Sequence, residues 1–292
     1  MITQIINNGI IAGIIYAIIA LGFTSIYRTI KFFHFAHGVI YATGAYLAYA
    51  LFILLGINSI LSIFLSIALA TLLGIAIDRF IYYPLRKHKT SNLVFLLASF
   101  GVFIFLQNLL QLIFGAQILT LRTGPIKEGH HILGAVITDI QILIVVVSLI
   151  LFLLTWLFIQ KSKLGKAIRA VSDDSTGARV VGINSEKVIL TAFAIGSALA
   201  GVAGILISLE TNIEPTMGFN AILKGIIASI IGGIGSIPGA LFGGLFLGLA
   251  ENLGSWKIQA GWKDTIAFAI LIIFLLLRPS GIMGVKTEKE KI

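Results

Sequence analysis

The sequence has no cysteine and few charged residues, and both shortages restrict what the chain can be. Of its 292 residues, 11% are Asp, Glu, Lys or Arg, whereas a soluble domain usually carries about 25%. The lack of cysteine excludes a cysteine cluster and leaves the redox compartment undetermined. The chain also lacks the GxxxxGKS/T phosphate loop, the HExxH zinc motif and the GxSxG nucleophile motif. We therefore predict that it has no catalytic residues, no metal site and no cofactor of its own.

Long apolar runs take up most of the sequence. Hydrophobic residues make up 58% of the chain, and the mean hydropathy is +1.04. A helix needs about 20 mostly apolar residues to cross a bilayer, so we predict an all-α, polytopic transmembrane bundle of eight to nine spans. Eight runs are predicted spans, at residues 9–27, 38–56, 57–77, 93–119, 139–159, 188–209, 239–253 and 264–277. A ninth run, at residues 219–237, is glycine-rich, contains Lys224, and either spans the membrane or re-enters it.

The remaining composition favours one membrane domain. No basic residues precede the run at 9–27, so we interpret it as a retained span and not as a signal peptide. No linker is long enough to separate domains, which predicts a single transmembrane domain over residues 1–292. We attribute the net charge of +9 to anionic headgroups and membrane orientation, and not to nucleic acid, because the charges cluster in loops.

The distribution of Lys and Arg predicts the orientation. Basic residues accumulate in cytoplasmic loops. With residues 161–187 inside and nine crossings, sixteen basic residues lie inside and four outside. The prediction is therefore an N-terminus outside, a C-terminus inside, and Trp256 and Trp262 near the outer interface.

The longest polar segment is the predicted cytoplasmic loop at residues 161–187, which carries six basic and three acidic residues. Each charge costs about 2.5–3.5 kcal/mol at the centre of a membrane, so this segment lies in water. We predict a short helix, a break and a second short turn, punctuated by Gly165, Gly177 and Gly182. We expect Gly182 to permit a positive φ or a close approach to a partner. The loop is either a docking surface or a solvated connector.

Small residues indicate close helix packing. Ala192, Gly196, Ala200 and Gly204 recur every four positions, which predicts a face that another helix approaches closely. The glycine-rich stretch at 232–239 is interrupted by proline. It predicts either further helix packing or an irregular backbone that lines a cavity.

Few ionisable side chains lie at membrane depth. Lys224 and Glu251 are the best internal candidates, and we expect them to pair, in either a structural or a transport role. His34 and His37 are three residues apart and His130 and His131 are adjacent, but neither pair has further ligand residues nearby. We interpret both pairs as interfacial or loop histidines.

Four segments resemble the permease subunits of branched-chain amino-acid ABC importers. The INFAHG signature of the shorter permease type is similar to FFHFAHGVIYATGAY at 32–46, and the cytoplasmic coupling loop is similar to LGKAIRAVSDDSTGARVVGIN at 164–184. Residues 214–252 resemble the P-x-M-G, LK and GG-x-G-S stretch, and RPSGIMG at 278–284 resembles the family ending. His34 stands where the signature usually has Asn, and RAV at 169–171 stands where other ABC importers have Glu-Ala-Ala.

The resemblance implies a function and a set of partners. The chain would form half of the pathway for branched-chain, hydrophobic amino acids in the bacterial cytoplasmic (inner) membrane. A second permease, either a sister chain or another copy, would complete the pathway. Two cytoplasmic ATPase subunits would bind ATP and Mg, and an extracytoplasmic amino-acid-binding protein would deliver the substrate. The residues implied in coupling to the ATPase are Arg169, Ser172, Asp173, Asp174, Ala178, Arg179 and Gly182. The candidates for the pathway are His34, His37, Lys224, Gly232, Gly233, Gly235 and Glu251.

Other functions stay open at this point. One is a secondary carrier for a small polar solute, which would work without ATPase partners. Another is a permease of the same family for urea or another small solute. A membrane scaffold or an intramembrane enzyme is a third.

Overall fold

The computed structural model describes residues 2–122, 129–132, 134–256 and 258–284. The chain between α5 and α6, at residues 115–138, contains the hairpin of strands β1 (His130–Ile132) and β2 (Ala135–Ile137). The helices are α1 (Ile2–Ile30), α2 (Ala36–Tyr49), α3 (Ser59–Ile77), α4 (Tyr83–Lys87), α5 (Asn92–Phe114), α6 (Asp139–Lys161), α7 (Lys163–Asp173), α8 (Ser175–Val180), α9 (Ser185–Glu210), α10 (Met217–Gly232), α11 (Ile237–Ser255) and α12 (Lys263–Leu277).

All nine predicted apolar runs are helical. Within the described residues, seven helices are long and apolar enough to cross a membrane: α1, α2 with its continuation to Leu54, the continuous segment Ser59–Lys87, α5, α6, α9 and α11. The helices α10 and α12 have 16 and 15 residues, fewer than the roughly 20 that a span needs. The structure therefore confirms an all-α, multi-pass membrane protein, and it provides seven helices of spanning length.

Helix ends differ from the predicted ends for local reasons. Gly56, with φ +64°, separates α2 from α3, and the Asn58 side chain accepts a hydrogen bond from the Ile60 N–H at 3.0 Å. The third run was predicted to end at residue 77, but helical structure continues from α3 to Lys87. Pro84 follows the π-helical turn Asp78–Tyr82, where the regular α-helical hydrogen-bond pattern is already interrupted. The helix α5 ends at Phe114, not at residue 119, because Gly115 adopts φ +82°.

The chain divides into two compact units. The first comprises Met1–Thr24, Pro125–Leu153 and Leu223–Ile292. In this unit, glycines bring α1 and α11 together: a Cβ on Gly13 would lie 2.8 Å from the Leu245 Cα. Such a close approach maximises dispersion contacts where no hydrophobic force acts between helices in lipid. The buried core cluster is Ala20, Ile227, Ala228, Ile231, Ala240, Leu247 and Ala267.

The second unit comprises Ser25–Gly124 and Leu154–Ile222. Here α9 lies against α2, and a Cβ on Gly44 would lie 2.7 Å from the Gly201 Cα. A Cβ on Gly204 would overlap the Tyr41 carbonyl oxygen. The four predicted small residues Ala192, Gly196, Ala200 and Gly204 are all buried. The predicted close-packing face of this helix is therefore confirmed, and Gly201 belongs to it as well.

Candidate functional site

The predicted cytoplasmic loop is a helical hairpin joined tightly to the end of α6. The Ser162 hydroxyl accepts a hydrogen bond from the Gly165 N–H at 2.8 Å and so begins α7. A Cβ on Gly165 would lie 2.6 Å from the Ile159 Cα, so a larger residue would push α7 away from α6. The Arg169 guanidinium donates to the Ile159 carbonyl and, at 3.1 Å, to the Gln160 carbonyl. Arg169 therefore caps α6, because the last carbonyls of a helix have no partner inside it.

A second short helix follows, as the sequence predicts. The Asp174 side chain accepts from the Thr176 N–H at 2.8 Å and begins α8. Gly182 has φ +86° with nothing within 4 Å of a built Cβ, which confirms the positive φ expected there. The break itself falls at Asp174, whereas Gly165 and Gly177 lie inside α7 and α8. The prediction that these two glycines punctuate the loop was therefore wrong.

The seven predicted coupling residues divide into an inward set and an outward set. Ser172 and Ala178 are buried, and the Arg28 side chain donates to the Ser172 hydroxyl at 3.2 Å. Together with the partly buried Arg169, these residues hold the hairpin against the helices. The outward set is Asp173, Asp174, Arg179 and Gly182.

Two apolar residues on the outer surface of the α7–α8 hairpin were not predicted from the sequence. Val180 and Val181 are 83% and 75% exposed at the end of α8. The signal that could have revealed them is a pair of adjacent valines directly before Gly182. Apolar side chains exposed beside charged ones are typical of a protein-binding surface.

An ionic cluster connects the end of the α3–α4 segment to the start of α9. Arg86 Nη1 lies 2.7 Å from Asp78 Oδ1, and Arg86 Nη2 lies 2.8 Å from Glu186 Oε2. Asp78 is almost completely buried, so its charge needs this partner. The cluster fixes α9 directly after the hairpin, and Asn184 begins that helix by accepting from the Lys187 N–H at 3.1 Å.

His34 and His37 are completely buried, which contradicts an interfacial position for either of them. His34 does lie in the loop between α1 and α2, as predicted, whereas His37 lies in the first turn of α2. His34 Nδ1 lies 3.0 Å from the Tyr82 hydroxyl and 3.4 Å from the Ser99 hydroxyl. The Phe193 ring contacts His34 edge-on, with centroids 5.2 Å apart. Burial, and then the neighbouring His37, hold the pKa of His34 well below its usual range, so the ring is neutral. The pair is thus enclosed in an aromatic core that distant helices provide.

Lys224 and Glu251 form the ion pair that the sequence predicts. Lys224 Nζ lies 2.5 Å from Glu251 Oε1 and 2.8 Å from Asp264 Oδ1, and the Tyr16 hydroxyl donates to Glu251 Oε2 at 2.8 Å. Glu251 is buried, whereas the Asp264 side chain is 72% exposed. Four helices of the first unit therefore meet at one charged cluster.

The glycine-rich stretch is covered by the chain itself. Gly232 lies against Gly239 across the α10–α11 turn, and a Cβ on Gly233 would lie 2.7 Å from the Gly284 Cα. The Met283 N–H donates to the Gly232 carbonyl at 2.9 Å, so the RPSGIMG ending is held on this turn. Gly235 has φ +86° and nothing within 4 Å of a built Cβ. Glycine is required at these positions for close approach and for positive φ.

The described residues contain no group of three His, Cys, Asp or Glu side chains that could hold a metal. His130 of the second predicted pair instead contacts Asp139, with Nε2 and Oδ1 2.6 Å apart on an exposed surface.

Comparison with known proteins gives a family match over nearly the whole chain. The sequence profile of one family, described as branched-chain amino acid transport system / permease component, matches residues 5–275. The chain is 41% identical to the high-affinity branched-chain amino acid transport system permease protein BraD of Pseudomonas aeruginosa, over 99% of this chain and 97% of that protein. It is 39% identical to the corresponding protein LivH of Escherichia coli strain K12, over 98% and 96%.

A more distant relative agrees with this match, and a solved structure shares the fold. The probable branched-chain amino acid transport permease protein LivH of Methanocaldococcus jannaschii is 29% identical over 99% of this chain and 94% of its own length. The solved structure of PsaBC from Streptococcus pneumoniae in complex with Fab has a similar fold, with a TM-score of 0.55 at 15% identity over 96% of this chain and 97% of that one. The chain therefore belongs to the family of branched-chain amino acid transport system permease components.

Proposed function

We propose that the chain is a membrane-spanning permease subunit of an ATP-binding-cassette importer, and that it forms half of the pathway for branched-chain amino acids. The observation that carries the proposal is the near-full-length similarity to BraD and LivH, whose names specify high-affinity branched-chain amino acid transport. The seven apolar helices supply the membrane-crossing body. The sequence has no phosphate loop, so ATP and Mg bind to partner subunits.

The helical hairpin of α7 and α8 is the proposed docking element for an ATPase subunit. Its outer surface combines the acidic pair Asp173 and Asp174, the cation of Arg179 and the exposed Val180 and Val181. Its inner side is fixed to α6 through Arg169 and to α1 through Ser172. A movement of the hairpin is therefore transmitted to both helices as a rigid-body shift.

The proposed assembly combines permease, ATPase and binding-protein subunits. This chain pairs with a second permease, either a sister chain or another copy, and two ATPase subunits dock from the cytoplasm. An extracytoplasmic amino-acid-binding protein delivers leucine, isoleucine or valine. Membrane lipid surrounds the helices, and nucleic acid has no part in the mechanism.

The finer topology is part of the proposal. We place the chain in a bacterial cytoplasmic membrane as a single domain with nine crossings, seven by the helices of spanning length and two by the shorter α10 and α12, with the N-terminus outside and the C-terminus inside. The basic excess in the hairpin supports this orientation. The native chain lacks cysteine, so single cysteines report it cleanly: Ser175→Cys should be labelled only from the cytoplasm and Gln259→Cys only from outside. Labelling of both from one side would refute this arrangement. A tail probe at Lys289 lies outside the described residues.

We propose that the seven candidate residues contribute to the pathway from two separate clusters. His34 and His37 lie in a buried, aromatic-lined core of the second unit. Lys224 and Glu251 lie with Gly232, Gly233 and Gly235 in the first unit. The paired charge of Lys224 and Glu251 suits a passage that binds substrate weakly, because neither charge is free to trap an amino acid.

The experiment that tests the coupling proposal uses the reconstituted importer with Arg179→Glu. A reversed charge at an interface costs several kcal/mol. Arg179 is exposed, so the fold should tolerate the change. We expect normal insertion but little stimulation of ATP hydrolysis by loaded binding protein. The matched control is Lys163→Glu, an exposed reversal at the opposite end of the hairpin. Wild-type stimulation in Arg179→Glu would remove the hairpin from coupling.

A further inference from the structure

A cavity of about 540 Å³ opens in the second unit, at one end of its helices. The last turn of α1, the segment α4, the first turn of α5 and the first turn of α9 all border it, together with α8. The volume lies within the range of about 300–1,000 Å³ that is usual for small-ligand pockets. Every bordering segment is a helix end or a loop, so the cavity lies where the apolar spans meet water.

The charged lining of the cavity is mainly basic. Four cations are present, Arg86, Lys87, Lys89 and Arg179, against the two carboxylates of Glu186 and its neighbour Asp78, which leaves a net charge of +2. Both carboxylates are held by Arg86 at less than 3 Å. Within the part of the chain that the structure describes, neither Lys87 nor Lys89 forms an ion pair. Two flexible ammonium groups are thus available to an anion.

The turn that follows α4 contains an unusual backbone conformation. Lys89 has φ +52°, an uncommon conformation for a residue with a side chain. Its N–H donates to the Arg86 carbonyl at 3.1 Å, so it turns the chain immediately after α4. A glycine would adopt this conformation more easily, yet the sequence places a basic side chain at the border of the cavity.

Apolar side chains also line the cavity, namely Ile30, Phe95 and Ile189. On the same helical segments, Phe80 and Leu93 are 78% and 64% exposed, as is typical of side chains that contact the membrane. An anion that fits this cavity therefore has an apolar part beside its charge.

We propose that the cavity binds the phosphate headgroup of an anionic phospholipid, with Lys87 and Lys89 contacting the phosphate and Ile30, Phe95 and Ile189 contacting the start of an acyl chain. Basic pockets between membrane helices on the cytoplasmic side are suited to such headgroups. A free phosphate ion would use the same cations but not the apolar wall. The site adjoins α8, so a bound lipid would support the hairpin from its membrane side.

The test measures lipid retention by the purified importer complex. Wild type and the double variant Lys87→Gln/Lys89→Gln are exchanged into detergent with phosphatidylglycerol or phosphatidylcholine, and bound lipid is quantified by native mass spectrometry. Lys161→Gln/Lys163→Gln is the matched control, because it removes two exposed lysines on α6 and α7 that do not line the cavity. Arg179 is left intact because it also belongs to the coupling surface.

We expect wild type and control to retain phosphatidylglycerol in preference to phosphatidylcholine. The cavity variant should bind phosphatidylglycerol about 25-fold more weakly, since each lysine near an anionic lipid contributes about fivefold. Equal retention by all three proteins would overturn the proposal. So would displacement of phosphatidylglycerol by millimolar inorganic phosphate, which would assign the site to a free anion. Phosphatidylglycerol that is bound by the permease subunits alone but absent from the complete complex would overturn it in favour of a protein occupant.

Discussion

Replacement of Gly182 by leucine separates the coupling role of the hairpin from its folding. Gly182 adopts φ +86°, and this backbone conformation costs a residue with a side chain about 1–2 kcal/mol of stability. Nothing lies within 4 Å of a built Cβ, so no further clash arises inside the chain. The loss is small against a typical unfolding free energy of about 5–15 kcal/mol, and insertion should stay normal. If docking requires the positive φ, a leucine at this position must adopt the strained conformation to dock. The same 1–2 kcal/mol then weakens ATPase docking about 5–30-fold.

The assay compares Gly182→Leu with Gly56→Leu in the reconstituted importer. Gly56 has φ +64° and is also free of neighbours within 4 Å, so both variants carry similar backbone strain. Gly56 joins α2 to α3, away from the hairpin in sequence. We expect leucine uptake and stimulated ATP hydrolysis to fall in Gly182→Leu and to persist in Gly56→Leu. Equal activity of the two variants would show that the conformation of Gly182 does not serve docking.

Four further substitutions test the helix packing, the buried ion pair and a buried histidine. Gly204→Leu should reduce assembly sharply, because its side chain would collide with the Tyr41 carbonyl and separate α9 from α2, whereas normal expression would place this face in lipid. Lys224→Met should destabilise the purified protein by about 3–5 kcal/mol by leaving Glu251 buried without its cation, and adding Glu251→Met should restore part of the loss; an additive double variant would contradict the pairing. Burial lowers the pKa of His34 in the folded state. The neutral ring therefore contributes fully to the free energy of unfolding above about pH 6.5, and this contribution is lost as the pH falls toward the folded-state pKa. The melting temperature of wild type should therefore decrease more between pH 7.5 and 5.5 than that of His34→Asn, and parallel decreases would count against this cause.

The sequence predicted the elements that depend on local composition. Apolar runs become helices wherever they occur, and the hairpin helices follow from their own capping residues Ser162 and Asp174. The pair Lys224–Glu251 was also predictable, because few other charges lie at that depth. These features need no knowledge of distant neighbours.

Features that depend on distant neighbours were not predictable. The burial of His34 depends on Tyr82, which is 48 residues away along the chain. The extension of helix past the predicted end of the third run is stabilised by Arg86 bonding to Glu186, 100 residues away. The exposure of Val180 depends on how α8 turns Ala178 inward. Periodicity and composition do not predict contacts between residues that are far apart along the chain.

Uptake into proteoliposomes shows whether the protein takes part in ATP-driven transport of branched-chain amino acids. The complete importer would be reconstituted with its binding protein, and accumulation of radiolabelled leucine would be measured with ATP or with a non-hydrolysable analogue on the ATPase side. We expect leucine accumulation to require both hydrolysable ATP and loaded binding protein. Excess isoleucine or valine should inhibit it. Leucine accumulation driven by a proton or sodium gradient in the absence of ATP would contradict this expectation.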